Sequence, residues 1–244
     1  VMRTGADVRP SPLEVIHIEA LARKAINTQP DMGQDLTRVA MIRNDGSSGF
    51  WRMVLPSKYL DKAGFWTDVT LGRDVPANDL WWYDTVFVQM IYDWESYYLL
   101  RTMKKLNKRV VYDFDDDLFN LPKNHVLRNR IGYDQCVAAL ETMKLADVVT
   151  CSTDRLKEVL TVNGIDGGKI RVIPNAMDLN GFPSIDDLRK TDRKSVFWAG
   201  SSTHGDDWNE CVKGLDSLMR LRNDFVLIVF GFFPKQLENY MGEK

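Results

Sequence analysis

The stretch Tyr112-Asp113-Phe114-Asp115-Asp116-Asp117-Leu118-Phe119 sets four carboxylates within five residues, directly after an apolar run. Carboxylates this close repel one another unless they are solvated, paired or bound to a cation. Capping a helix needs one such group, so the run reads as chemistry more than as a turn. Two kinds of chemistry fit it. The pair Asp113 and Asp115, spaced as Asp-x-Asp at the end of a buried strand, can hold Mg²⁺. Alternatively a single carboxylate, Asp115, Asp116 or Asp117, can orient or deprotonate a hydroxyl.

Three further loops carry candidate ligand groups. Gly46-Ser47-Ser48-Gly49 follows an apolar run and precedes a helical period. Its glycines let backbone approach a ligand, and the helix after it offers N-terminal amides to an anion, which makes Gly46, Ser48 and Gly49 candidate phosphate contacts. Arg52, one turn further, can add charge to a phosphate or form a surface salt bridge. No Gly-Lys-Ser/Thr follows and Gly-x-Gly-x-x-Gly is absent, so a plain strand-to-helix turn fits the loop equally well. Ile173-Pro174-Asn175-Ala176-Met177-Asp178 ends another apolar run, with Asn175 and Asp178 as turn formers or ligand contacts. Trp198-Ala199-Gly200-Ser201-Ser202-Thr203-His204-Gly205 is a small-residue loop in which Gly200, Ser201, Ser202 and Thr203 suit a phosphate cradle. His204 there is a further candidate for the donor phosphates, a catalyst or a plain loop residue; with no His or Cys clustered beside it, a metal site is not expected.

Elements must bring these loops together. Apolar runs predict strands at 39–42, 68–71, 86–90, 110–114, 148–151 and 170–173. Helical spacing predicts helices at 50–63, 94–106, 134–145 and 154–162, with Ser152 and Thr153 available as caps. Such a succession, with strands apolar on both faces, is an α/β fold with a parallel sheet and helices on both sides. Ligands then bind beyond the carboxyl ends of the strands, where the first three loops lie. Residues 11–27 read as a helix within an N-terminal extension, 1–35. A first domain spans 36–185, and a linker with the charged run Asp186-Asp187-Leu188-Arg189-Lys190 covers 186–194. A second unit, 195–244, holds a strand at 196–199, a helix bearing Trp208, Cys211, Val212, Leu215 and Leu218, and a strand at 225–230. Two strands do not close a doubly wound core, so this reads as a partial domain. Trp81-Trp82-Tyr83 reads as packing under the sheet or at an interface.

Composition limits the classes available. Of 244 residues, 44% are hydrophobic and 27% charged, which is globular. A net charge of −2 supplies no basic field for sequence-independent nucleic-acid binding. Cys136, Cys151 and Cys211 are odd in number and scattered, which argues against a disulfide framework and fits a reducing cytoplasm. The first ten residues contain no signal-like apolar core, and the longest apolar run, 225–233, is half a membrane span, so no transmembrane segment is expected. The chain holds 26 Asp against 8 Glu, a bias toward turns and strand ends.

Taken in order, the four loops resemble a GT-B glycosyltransferase, close to the large retaining group called family 4 (group 1). The resemblance runs from residue 39 to 231. It is carried by the first Gly loop with Arg52, the 110–119 run, Ala146-Asp147-Val148-Val149-Thr150-Cys151-Ser152-Thr153, the 170–178 segment and the 196–204 segment. It implies two Rossmann-like domains, a nucleotide-diphosphate sugar as donor, an acceptor hydroxyl bound on the first domain, and no essential metal cofactor. Gly46 to Gly49 would lie near the donor diphosphate, with Gly200 to Thr203 opposite. Asp115 to Asp117 would face the cleft, as would Asn175 and Asp178. The acceptor class, whether saccharide, lipid, protein or modified nucleobase, is left open. Two departures stand out. Ser201-Ser202-Thr203-His204 replaces the family's Arg and Lys after the second-domain glycine, and no two Glu here are eight apart, so the expected donor pocket is incomplete. A competing resemblance is a Mg²⁺-dependent phosphatase of the haloacid dehalogenase type, with Asp113 as nucleophile and Asp115 as acid. A non-catalytic Rossmann-like binding module is the third reading.

Overall fold

A computed structural model of the chain describes residues 36–44, 46, 48–72, 79–123, 125–181, 184, 194–222 and 224–232. The helix expected at 11–27, and nearly all of the 186–194 linker, lie outside them. Chain packing divides the protein into two units, one of 1–120 with 131–178, the other of 121–130 with 179–244.

In the first unit, β1 (Thr37–Arg43) is buried along its middle, as its unbroken apolar centre Val39-Ala40-Met41-Ile42 requires of a strand covered on both faces. β2 (Phe65–Leu71) pairs with it on one side and β3 (Thr85–Gln89) on the other. β4 (Arg109–Phe114), β5 (Val148–Cys151) and β6 (Ile170–Val172) follow in turn, giving a six-stranded sheet of order β2-β1-β3-β4-β5-β6, with every pair parallel. All six carboxyl ends therefore reach one edge. β2 begins three residues earlier than its apolar run suggests, because Phe65, Trp66 and Thr67 pair with Thr37, Arg38 and Val39.

α1 (Leu55–Lys62) is entered through a π-helical turn, Phe50–Val54, and lies between β1 and β2 in the chain. α2 (Trp94–Lys105), α3 (Tyr133–Leu145) and α4 (Asp154–Val162) make the later crossovers. Right-handed crossovers place α1 on one face of the sheet and α2, α3 and α4 on the other, because the strand order reverses between β1 and β3. That reversal opens a crevice at the carboxyl ends of β1 and β3. On one face of β1, Val39 and Met41 pack with Met53, Leu60, Val69 and Phe87. Trp81 is buried, as core packing predicts. The α2 N-terminus is capped by Asp93, which accepts from the Ser96 amide at 2.7 Å, and α4 by Thr153, which accepts from Leu156 at 3.1 Å.

In the second unit, β7 (Lys194–Gly200) and β8 (Phe225–Gly231) are parallel and joined through α5 (Gly205–Leu221). Trp198 of β7 meets Trp208 of α5 edge to face, with ring centres 5.2 Å apart. At the carboxyl end of this βαβ unit Gly200 faces Gly231, and the Phe232 amide donates to the Gly200 carbonyl at 2.7 Å. Gly231 has φ +95°, and a Cβ there would stand 2.4 Å from the Gly200 oxygen. Gly231→Ala is therefore expected to cost about 1–3 kcal/mol. Gly205→Ala, whose Cβ meets nothing within 4 Å at a helix start, should be neutral or stabilising. Urea denaturation of the two variants checks the contrast; equal midpoints would refute it.

Candidate active site

The first loop is built by its own hydrogen bonds. The Asn44 side chain accepts from the Gly46 amide at 2.9 Å, and the Gly46 carbonyl accepts from the Gly49 amide at 3.1 Å. Gly49 is buried, and a Cβ there would lie 3.1 Å from the Asn44 oxygen and 3.2 Å from Arg43 Cδ. A side chain at 49 would thus press on the Asn44 backbone and Arg43, so the tight turn favours glycine there. Ser48 stands at the rim of the crevice.

Arg52 points inward. Its Nε donates to Asp113 Oδ2 at 3.0 Å, Nη2 donates to Asp113 Oδ1, and Nη1 donates to the Ile173 carbonyl and to Asn175 Oδ1, the last at 3.3 Å. Both charged side chains are buried, and Thr150 Oγ1 donates to Asp113 Oδ1 at 2.5 Å. Arg52 is therefore turned to an internal carboxylate and not to the surface salt bridge that is one reading of it. Its charge is matched by a carboxylate from the end of β4 in a bidentate pair. The same pairing corrects the phosphatase reading: Asp113, its proposed nucleophile, has both oxygens engaged by Arg52 and Thr150. Asn175 is drawn to this cluster by Arg52. Asp178 lines a cavity of about 270 Å³ together with Trp51, Leu55, Tyr59, Phe87 and Met177.

The acidic run divides its labour. Asp117 structures its own loop, accepting from the amides of Phe119 at 3.1 Å and Asn120 at 3.2 Å and from the Asn120 side chain at 2.8 Å. This is a local Asx-type turn. Asp116 is exposed. Asp115 is half-buried beside Ser48, its backbone carbonyl accepting from Ser152 Oγ at 3.2 Å. Burial, with repulsion from Asp116 and Asp113, pushes the Asp115 carboxyl up to about 6, against the opposing pull of a Ser48 hydrogen bond and the Arg52 charge.

Sequence reasoning passed over Gln89, the last residue of β3. It is fully buried, and its Nε2 donates to Ser48 Oγ at 3.0 Å and to Asp115 Oδ1 at 3.4 Å. Its Oε1 is buried and accepts no hydrogen bond among the described residues, an arrangement that costs about 1–3 kcal/mol. The next residue, Met90, is buried at φ +50°, a conformation that side-chain-bearing residues rarely take, and its amide donates to the Asp113 carbonyl at 3.0 Å. The signal available in the sequence was one amide ending the apolar strand Val86-Phe87-Val88.

In the second unit, the loop after β7 closes on itself. Ser201 Oγ lies 2.6 Å from Thr203 Oγ1 and accepts from the Thr203 amide at 3.3 Å. Ser202, Thr203 and His204 form a short 3₁₀ turn into α5. His204 Nδ1 pairs with Asp207 Oδ2 at 2.8 Å, both exposed, which occupies that imidazole nitrogen on the helix. Among the described residues no group of three His, Cys, Asp or Glu side chains is placed to hold a metal ion. None of the described helices is long and apolar enough to cross a membrane.

No protein-family model and no curated protein matches the sequence. Among solved structures, the chain is similar to Anabaena HepE in complex with UDP, at 13% identity and a TM-score of 0.51, over 84% of this chain and 63% of HepE. It is likewise similar to the UDP-GlcNAc 2-epimerase of Methanocaldococcus jannaschii, at 14% identity and a TM-score of 0.51, over 84% of this chain and 68% of the epimerase. The likeness is one of fold, the Rossmann-like GT-B architecture with its parallel six-stranded sheet. The chain spans less than two thirds of the length of HepE.

Proposed function

We propose that this chain is part of a nucleotide-sugar-dependent glycosyltransferase, transferring a hexosyl or pentosyl group from a uridine-diphosphate sugar to an acceptor hydroxyl. The observation that carries the reading is Asp115. It is a half-buried carboxylate at the carboxyl edge of a Rossmann-like sheet, beside the β1/β3 crevice, with its pKa raised to about 6. At neutral pH such a group is ionised yet able to take a proton, which suits it to orient and deprotonate an acceptor hydroxyl. The first loop, Gly46, Ser48 and Gly49, lies at the same edge and would approach the donor diphosphate. Within the second unit, Gly200, Ser201, Ser202 and Thr203 are the candidates to bind phosphate through amides and hydroxyls, with no metal cofactor required. Asn175 and Asp178 would line the acceptor side. Membership of the family 4 group and a cytoplasmic location belong to this proposal. The fold likeness to two proteins whose names carry UDP or a UDP-sugar supports the choice of donor.

Thermal unfolding of the full-length protein tests the donor. A ligand at 100 times its Kd stabilises by about 2.7 kcal/mol, so Tm should rise by roughly 5–10 °C with UDP or the matching UDP-sugar. An unchanged Tm across uridine and guanosine diphosphates and their sugars would overturn the proposal in favour of a non-catalytic module. A UDP-sugar recovered epimerised, with nothing transferred, would replace transfer with epimerisation.

A further inference from the structure

We propose that Gln89 is the positioning residue of this site, its carboxamide holding the Ser48 hydroxyl and the Asp115 carboxylate in a single arrangement. The inference rests on the reading of Asp115 as the group that meets the acceptor. β3 lies between β1 and β4, with Val88 opposite Ile42 and Gln89 opposite Asp113. Gln89 therefore ends where the first loop and the acidic run both begin, and its Nε2 reaches one partner in each. Ser48 is placed to pass the link on, since it accepts from Gln89 and hydrogen-bonds Asp115. The backbone is held on the same spot, because Met90 takes positive φ and its amide bonds the Asp113 carbonyl.

An apolar residue would fill this buried position without stranding an amide oxygen; what the amide adds is donor capacity toward two loops. The groups that face Asp115 are Arg52 from the turn before α1, Asp113 from β4, its neighbour Asp116, Ser48 from the first loop and Gln89 from β3. Only Ser48 and Gln89 among these stabilise its ionised form by direct hydrogen bonds, so removing the Gln89 donor has a readable electrostatic effect.

The test is Gln89→Leu, with the near-isosteric Gln89→Met as the second variant should leucine impair folding. Titration of the Asp115 carboxyl is followed by carbon NMR on the free protein and assigned with Asp115→Asn. The midpoint should move up by about half a pH unit or more. In the transfer assay, kcat should fall about 10-fold, with the donor KM changed less than twofold and the acid limb of the pH profile moved upward by the same amount. A variant that melts earlier while Asp115 titrates at its wild-type midpoint would make Gln89 a packing residue and overturn the proposal. The titration needs neither nucleotide nor acceptor. Absence of transfer by the wild type would thus sink the glycosyltransferase reading while leaving the Gln89–Asp115 link to be judged on its own.

Discussion

Asp113→Ala is expected to lower the stability of the first unit by about 3–5 kcal/mol, enough to unfold many proteins of this size. The substitution leaves the Arg52 guanidinium buried with its two best acceptors gone, and an unmatched buried charge is far costlier than the lost attraction. Thr150 Oγ1 loses its acceptor as well. The decisive comparison is the double variant Arg52→Met with Asp113→Leu, which removes both charges and fills the space. It should recover more than half of the loss, although Ile173 and Asn175 then forfeit a donor. Urea denaturation of the wild type, both single variants and the double variant gives the coupling directly. A single Asp113→Ala within 1 kcal/mol of wild type would show that the pair is solvated rather than buried.

The second large effect separates activity from stability. Asp115→Asn should reduce transfer by about 10²–10⁴-fold, the range of a lost proton acceptor, and should nevertheless make the protein more stable at neutral pH. Unfolded, this carboxyl titrates near 3.8, and folded at about 6. Between those values the folded state binds the extra proton, so stability falls as pH rises through the window. Above about pH 6 the full penalty, roughly 2–3 kcal/mol, bears on the folded state. Asparagine keeps the shape and carries no charge, so the variant should melt higher than wild type at pH 8 and alike at pH 3. The wild-type rate should in turn rise through about pH 6 as the carboxylate forms. Unimpaired transfer by Asp115→Asn would remove Asp115 from the mechanism, and an unchanged melting point at pH 8 would refute the account of its burial.

Local features of this protein are legible in its sequence alone. Val39 to Ile42, Val110 to Phe114 and Val148 to Cys151 announce central strands because, Asp113 and Thr150 apart, each is apolar on both faces. Thr153 as a cap and Gly49 in a tight turn follow from residue chemistry. The acidic run marks a loop at the carboxyl edge of the sheet but not which of its oxygens are engaged. Which of its four carboxylates is buried, capped or free depends on what faces it, and the partners come from other strands. Asp113 meets Arg52 from 61 residues earlier and Thr150 from 37 later. Asp117 is the exception, since its partner Asn120 is three residues away and an Asx turn follows from that spacing. Gln89 gives almost no signal, because one amide ending an apolar strand is also what a solvent-facing strand end looks like.

The reach of Arg52 also has a consequence for biosynthesis. Its carboxylate partner lies 61 residues downstream and its carbonyl and amide partners 121 and 123. At synthesis rates of about 5–20 residues per second, the arginine waits about 3–12 s for Asp113 to be made and roughly 6–24 s for Ile173. Until then the turn Phe50–Val54 has every reason to keep its guanidinium in water, and with it Met53, which belongs to the apolar face of β1. The nascent first half of the sheet is thus expected to stay open over that interval. Slowing the ribosome between codons 52 and 113 should lengthen its protease-sensitive interval more than an equal pause after codon 178.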